Sequence, residues 1–186
     1  MPAHQPVHWF DEAELRPYDR PQNPEADDAG NLSAFLDTLA HAEGTPRFGS
    51  QGGYNVIVGG GTFRDYGDHP RQSIHLPHYG IYSTAAGRYQ FLISTWDDLV
   101  SRFGYRDFTP PSQDAGAIQL IRQCRALRLV HDGRIREAID ACRTIWASLP
   151  GAGYGQREVA IDELLTVYRQ AGGNIVDEHP SGRERS

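Results

Sequence analysis

Lysine is missing from this chain of 186 residues; all 18 basic side chains are arginine. That absence excludes Schiff-base chemistry, a phosphate loop of the Walker type and a Ser–Lys nucleophile pair. Cysteine is scarce. Cys124 and Cys142 are too few for a disulfide scaffold or a four-thiolate zinc site, and they read as small apolar helix residues. No apolar run approaches the length of a membrane span. Positive charge is in deficit, with a net charge of −6, which argues against nucleic-acid binding by field strength. Residues 1–20 carry Asp11, Glu12, Glu14 and Asp19 and no apolar stretch of the signal-peptide kind. The chain is therefore expected to stay in the compartment of its synthesis until something else releases it.

Hydrophobic residues make up 39% of the chain, enough to build one core. The acidity sits at the ends. Residues 1–30 hold seven acids against two arginines, whereas residues 31–173 hold fourteen of each. The first segment, interrupted by Pro17, Pro21 and Pro24, reads as an acidic N-terminal arm. Residues 31–173 read as one domain, and 174–186 as a tail.

Within that domain the hydrophobic period is mostly helical. Asn31 is the expected N-cap of a first helix, with Leu32, Phe35, Leu36 and Leu39 on one face and Gly44 as the stop. Residues 51–80 change to glycines and alternation at Tyr54, Val56 and Val58, which predicts short strands and turns. Helices are expected again from about Tyr89 to Phe103, from Pro111, from Ile135 to Trp146 and from Arg157 to Ala171. The fold class is α+β: mainly helical, with a small antiparallel sheet inserted after the first core helix and a cleft between sheet and helical body.

Glu43 lies four residues after Leu39 and seven after Leu36, so it falls on the apolar stripe at the end of the first helix. A carboxyl group half inside apolar surroundings has a raised pKa and can serve as a general acid near neutral pH. The alternative is a solvated terminal glutamate or one paired to arginine. Asp65 and Asp68 fit turn residues, or a second acid across the cleft in a two-carboxylate glycosidase. His75 and His78 read as loop histidines, since no HExxH or CxxC supplies further zinc ligands. Neither metal nor cofactor is expected. Tyr154, between Gly153 and Gly155, either stacks on a ring or packs.

Several blocks together resemble a known family. Phe35-Leu36-Asp37, Ala42-Glu43-Gly44-Thr45, Gly53-Tyr54-Asn55-Val56-Ile57-Val58-Gly59-Gly60 and Asp65-Tyr66-Gly67-Asp68-His69-Pro70 are similar to segments of lambda-type phage endolysins. So are Ser83 to Gln90, Ser112 to Ala115 and, most specifically, Ile145 to Gln156. The blocks keep the family's order over residues 31–173.

The resemblance implies a lysozyme-like fold and cleavage of the peptidoglycan glycan strand between N-acetylmuramic acid and N-acetylglucosamine. It implies lytic transglycosylation, which leaves 1,6-anhydromuramic ends, with Glu43 as the catalytic acid. Asn55, Ser83, Arg88, Tyr89, Gln90, Tyr154 and Gln156 are the implied substrate-binding residues, although Arg88 can equally bond backbone carbonyls. Some relatives carry aspartate where this chain has Asn55, which leaves a dipole in place of a charge. The family also implies a monomer without stable membrane insertion, held in the host bacterial cytoplasm until a holin opens the route to the wall. Competing readings are a hydrolytic lysozyme using Asp65 or Asp68, and a non-catalytic wall-binding phage module.

Overall fold

The computed structural model describes residues 27–48, 51–155 and 157–176. The expected arm and tail lie largely outside the described residues. Six α-helices are present among them: α1 (Asp27–Glu43), α2 (Ile93–Phe103), α3 (Pro110–Gln123), α4 (Leu127–His131), α5 (Ile135–Cys142) and α6 (Ile161–Gln170), with a single 3-10 turn at Thr45–Arg47. Between α1 and α2 lie four short strands, β1 (Val56–Ile57), β2 (Gly61–Thr62), β3 (Ile74–Leu76) and β4 (Ile81–Ser83). They form two separate antiparallel hairpins, β1–β2 and β3–β4, rather than one sheet. Single bridges from Ile57 to Ala86 and from Ala86 to Phe91 tie the first hairpin to the chain entering α2. The α+β architecture is as expected, with the strand region inserted after the first helix.

Helix α1 is the axis of the molecule. Ala34, Phe35, Thr38, Leu39, Ala40 and Ala42 are all buried, a broad face that meets chiefly α4 and α6, while Gly30, Ser33 and Asp37 mark an exposed stripe. A buried face of that breadth is the mark of a helix packed by several neighbours. The helix begins at Asp27, so Asn31 lies inside it instead of capping it. Its side chain has a different task. The Asn31 amide donates to the His131 carbonyl at 3.1 Å and accepts from the Asn174 backbone N–H at 2.8 Å. It thereby joins α1 to the end of α4 and to the chain after α6.

A second centre of packing is aromatic. Trp96 of α2 meets Phe108 edge-on at 4.6 Å, Phe91 at 5.3 Å and Tyr105 in a stacked pair at 5.6 Å. Buried Gln113 of α3 knits this region to the strand insertion. Its amide donates to the carbonyls of Tyr54 (3.0 Å) and Phe108 (2.8 Å), and its oxygen accepts the Arg88 backbone N–H (2.9 Å). Such a fully satisfied buried amide fixes one arrangement of the chains it joins.

Gly87 sits directly against this amide with φ +78°, and a Cβ there would lie 2.3 Å from Gln113 Oε1 and 2.8 Å from Phe108 Cζ. A Gly87→Ala variant adds both backbone strain and a steric clash. It is expected to lose roughly 2–4 kcal/mol of stability. Urea denaturation checks this, the midpoint falling while the slope stays that of the parent.

Candidate active site

The end of α1 and the segment following α5 meet at Glu43. Gly44 takes a left-handed conformation (φ 72°), its N–H bonded to the His41 carbonyl at 2.9 Å, and ends the helix there. Glu43 is thus the last helical residue, where unpaired carbonyls place the negative end of the helix dipole. Its side chain is half-buried, and Oε1 accepts a hydrogen bond from Ser148 Oγ at 2.6 Å. Burial pushes the Glu43 carboxyl up to about 7; the Ser148 bond pulls in the opposite direction and is the weaker influence. An ion pair of Glu43 with arginine is absent among the described contacts.

Ser148 is held in place by its neighbours. Trp146 is buried and its indole N–H donates to the Tyr89 carbonyl at 3.1 Å. Leu149 is fully buried, and the Ser148 carbonyl accepts from Val159 N–H at 2.8 Å. Beyond it the glycine-rich loop closes on Glu158, whose two carboxylate oxygens accept the N–H groups of Gly151 and Gly153, each at 2.8 Å. Sequence reasoning did not select Ser148, Glu158 or Gln113. The first two lie within or beside the long Ile145–Gln156 block, which was the available signal.

The same Thr144–Ser148 segment borders a groove of about 540 Å³ lined by Leu92, Thr95, Ile145, Ala147 and Tyr154 among others. Glu43 is not among the lining residues. The link is the segment itself, which offers Ile145 and Ala147 to the groove and Ser148 to the carboxyl group. Tyr154 is exposed on the groove, its hydroxyl donating to the Thr144 carbonyl at 3.1 Å. Gln156 lies outside the described residues.

The remaining expected binding residues divide. Ser83 is half-buried on β4, its hydroxyl accepting the Ala85 N–H at 3.3 Å. Gln90 is half-buried with φ 51° and donates from its amide to the Gly87 carbonyl at 2.9 Å. Asn55 is half-buried just before β1, and its Oδ1 is buried with no hydrogen-bond partner among the described residues.

Arg88 and Tyr89 point inward. Tyr89 is 2% exposed, and its hydroxyl donates to Asp114 Oδ1 at 2.6 Å, an oxygen that also accepts from Tyr54 at 2.8 Å. Burial raises the pKa of Asp114 and of both phenols. Arg88 donates to Asp37 of α1 at 2.5 Å and to the Gly52 carbonyl, and its guanidinium stands 5.1 Å from the Tyr54 ring centre. In this conformation Arg88 and Tyr89 hold the strand insertion against α1 and α3 rather than lining an open surface. The physical reason is that Asp37 on the exposed side of α1 and half-buried Asp114 of α3 offer acceptors at the distance these side chains reach.

Asp65 Oδ1 accepts the Gly67 N–H at 2.8 Å, the turn role expected of it. Asp68 accepts from Arg71 Nε at 2.6 Å, and despite a desolvation cost those bonds hold its carboxyl below the usual range. Both line a separate shallow depression with Phe63 and His69 that does not include Glu43. His75 packs on Tyr82 at 4.8 Å and His78 on Tyr79 at 4.9 Å. Among the described residues no group of three or more metal-binding side chains occurs.

The sequence pattern of the Endolysin family matches residues 33–175. The chain belongs to the endolysin family. It is 51% identical over 146 residues to the endolysin of Escherichia phage lambda, covering 76% of this chain and 91% of the relative. It is 49% identical over 154 residues to the endolysin of Escherichia phage P2, covering 77% and 93%. The lambda lysozyme solved in complex with a chitohexasaccharide superposes with a TM-score of 0.76 at 48% identity, over 79% of this chain and 97% of that one. The family and lysozyme-like fold expected from the sequence are both shown. As an endolysin this chain is a phage cell-wall-degrading enzyme of host lysis, and its relatives cleave glycosidic bonds.

The raised carboxyl pKa carries a stability cost that the fold must bear. Both folded and unfolded chains bind the proton below about pH 4.5, so the cost vanishes there; it grows as pH rises and is complete above the folded value of about 7. Glu43→Gln keeps an acceptor for Ser148 and removes the charge. The variant is expected to gain up to about 3 kcal/mol over the parent between pH 4 and pH 8. Denaturation midpoints at the two pH values measure it.

Proposed function

We propose that this endolysin is a lytic transglycosylase that cuts the bond between N-acetylmuramic acid and N-acetylglucosamine, with Glu43 as its one catalytic carboxyl group. The observation carrying this reading is the Glu43 carboxyl, held half-protonated near neutrality by burial and touched by Ser148. A protonated Glu43 gives its proton to the glycosidic oxygen as the bond to C1 breaks. The substrate's own N-acetyl oxygen supports the positive charge at C1. The Glu43 carboxylate then takes the proton from the muramic 6-hydroxyl, whose oxygen bonds to C1 and closes the anhydro ring. The nucleophile is already part of the same sugar, so no carboxylate is needed to position a water. The turn bond of Asp65 and the ion pair of Asp68 favour this one-acid scheme over a hydrolytic one.

The glycan in the lambda lysozyme complex supports a sugar-chain substrate for this chain. In this reading Tyr154 and Gln156 contact the strand from the glycine-rich loop, with Ser83 and Gln90 opposite. Asn55 positions the sugar, its unpartnered oxygen being an acceptor that a hydroxyl or amide donor would satisfy. Arg88 and Tyr89 act from behind as positioning residues. Residues 31–173 carry the activity as a monomer, and a holin gives it access to the wall from the host cytoplasm. No helix among the described residues is long and apolar enough to cross a membrane.

Mass spectrometry of digested peptidoglycan tests the reaction. Products one water lighter than reducing ends are expected; wholly reducing products would overturn transglycosylation in favour of hydrolysis. Glu43→Gln is expected to lose roughly 10²–10⁴-fold in wall-clearing rate, and full clearing would remove Glu43 from the mechanism.

Activity should fall as pH rises through about 7, since the proton to be donated is lost there. Removing the Ser148 hydroxyl removes an influence that lowers the Glu43 pKa. Ser148→Ala should therefore shift the alkaline limb of the turbidity-clearing profile to higher pH, with the fold intact by circular dichroism.

A further inference from the structure

We propose that Thr45 is a positioning residue for the acid: with the Trp146 indole it fastens both flanks of the Glu43–Ser148 hydrogen bond to the successive carbonyls of Arg88 and Tyr89, making that bond one link of a closed ring. Thr45 lies two residues after Glu43, beyond the left-handed Gly44, and opens the 3-10 turn Thr45–Arg47. Its hydroxyl donates to the Arg88 carbonyl at 2.7 Å; the Ala40 carbonyl is a more distant acceptor at 3.4 Å. Trp146 lies two residues before Ser148 and donates to the Tyr89 carbonyl at 3.1 Å. Ser148 closes the circuit on Glu43 Oε1 at 2.6 Å. The proposal rests on the reading of Glu43 as the catalytic acid.

The ring is held stiffly. Helix α3 grips the Arg88–Tyr89 bridge from its far side: Gln113 accepts the Arg88 N–H at 2.9 Å and Asp114 accepts the Tyr89 hydroxyl at 2.6 Å. Thr45 is 1% exposed and Trp146 3%, so both donors are shielded from water, and losing either leaves a buried carbonyl unpaired. Thr45 is also wedged. Gly53, at φ +92°, packs so closely that a Cβ there would lie 2.7 Å from Thr45 Oγ1 and 2.8 Å from its carbonyl carbon.

These links set how the end of α1 faces the Ser148 segment. Opening the Thr45 link frees the end of α1 to draw away from Ser148. A small displacement is enough, because a hydrogen bond weakens steeply away from its preferred distance and angle. Loss of that donor disfavours the Glu43 carboxylate. Thr45 acts through Ser148, so its removal matters only while the Ser148 hydroxyl is present.

The test uses Thr45→Val, which keeps the branched shape and removes the hydroxyl. Carbon-13 NMR titration of the full chain follows the Glu43 carboxyl, assigned by the resonance missing from Glu43→Gln, beside the pH profile of wall clearing. Thr45→Val should lower the acid dissociation constant of Glu43 roughly three- to tenfold and move the alkaline limb in the same direction as Ser148→Ala. Thr45→Ser should restore the parent titration. In the Ser148→Ala background, Thr45→Val should add no further change. A parent-like titration of Thr45→Val, a change in the opposite direction, or an equal change in both backgrounds would each overturn the proposal. Should Thr45→Val fail to fold, Trp146→Phe opens the ring at its other donor and is held to the same outcomes. The carboxyl titration is readable whatever Glu43 does in the reaction, so full wall clearing by Glu43→Gln would refute the acid alone and leave the ring to be judged by the titration.

Discussion

A carboxyl group kept from water at the wrong end of a helix is the constraint on which the molecule turns. An acid at a helix C-terminus faces carbonyl oxygens, so both the dipole and burial oppose its ionisation. Glu43 occupies that place with a serine hydroxyl for company and no arginine bonded to it. The serine moderates the effect without cancelling it, because one neutral donor returns less than the water it replaces. A guanidinium there would have fixed the charge and removed the proton. The stability forgone is drawn from the surroundings of α1, whose Phe35, Thr38 and Leu39 are fully buried.

Holding the carboxyl in such a place requires that the surrounding loops not wander, and the structure does this with side-chain hydrogen bonds from the helices rather than with sheet. The strands are two or three residues long and cannot fix the insertion alone. Gln113, Asp114 and Asp37 supply the rest. One amide satisfies three backbone groups, one aspartate gathers two phenols, and another anchors Arg88. Each acceptor is placed by a helix, so the insertion inherits its position from α1 and α3. Trp146 continues the chain of contacts from Tyr89 to the segment bearing Ser148.

What could be read from the sequence follows the range of each interaction. The first helix, its stop at Gly44 and the exposure of Glu43 to an apolar stripe depend on residues within two turns of one another, and the 3.6-residue period reports them. Ser148 lies 105 positions from Glu43, and no local pattern reveals that bond. The inward turn of Arg88 and Tyr89 was equally hidden, since it depends on Asp37 and Asp114 in distant helices. Asn31 shows the opposite failure: a good cap residue was placed inside the helix because its amide is needed by His131 and Asn174. The hairpins were legible as glycine-rich alternation, but their separation into two sheets was not, because neither strand pair is long enough to leave a register signal.

In the proposed transglycosylation, the economy of one acid follows from where the nucleophile comes from. A hydrolase must place a water on the face of the sugar opposite its acid, and a second carboxylate is the usual means. Here the two aspartates of the strand region are committed elsewhere, Asp65 to its own turn and Asp68 to Arg71. A nucleophile carried by the substrate needs only a group that can release a proton and then accept one. A carboxyl balanced near neutrality does both with the smallest change of free energy at each step. In the proposed cycle, the burial that keeps Glu43 protonated before bond cleavage also makes its carboxylate a stronger base afterwards, so one physical cause serves both halves.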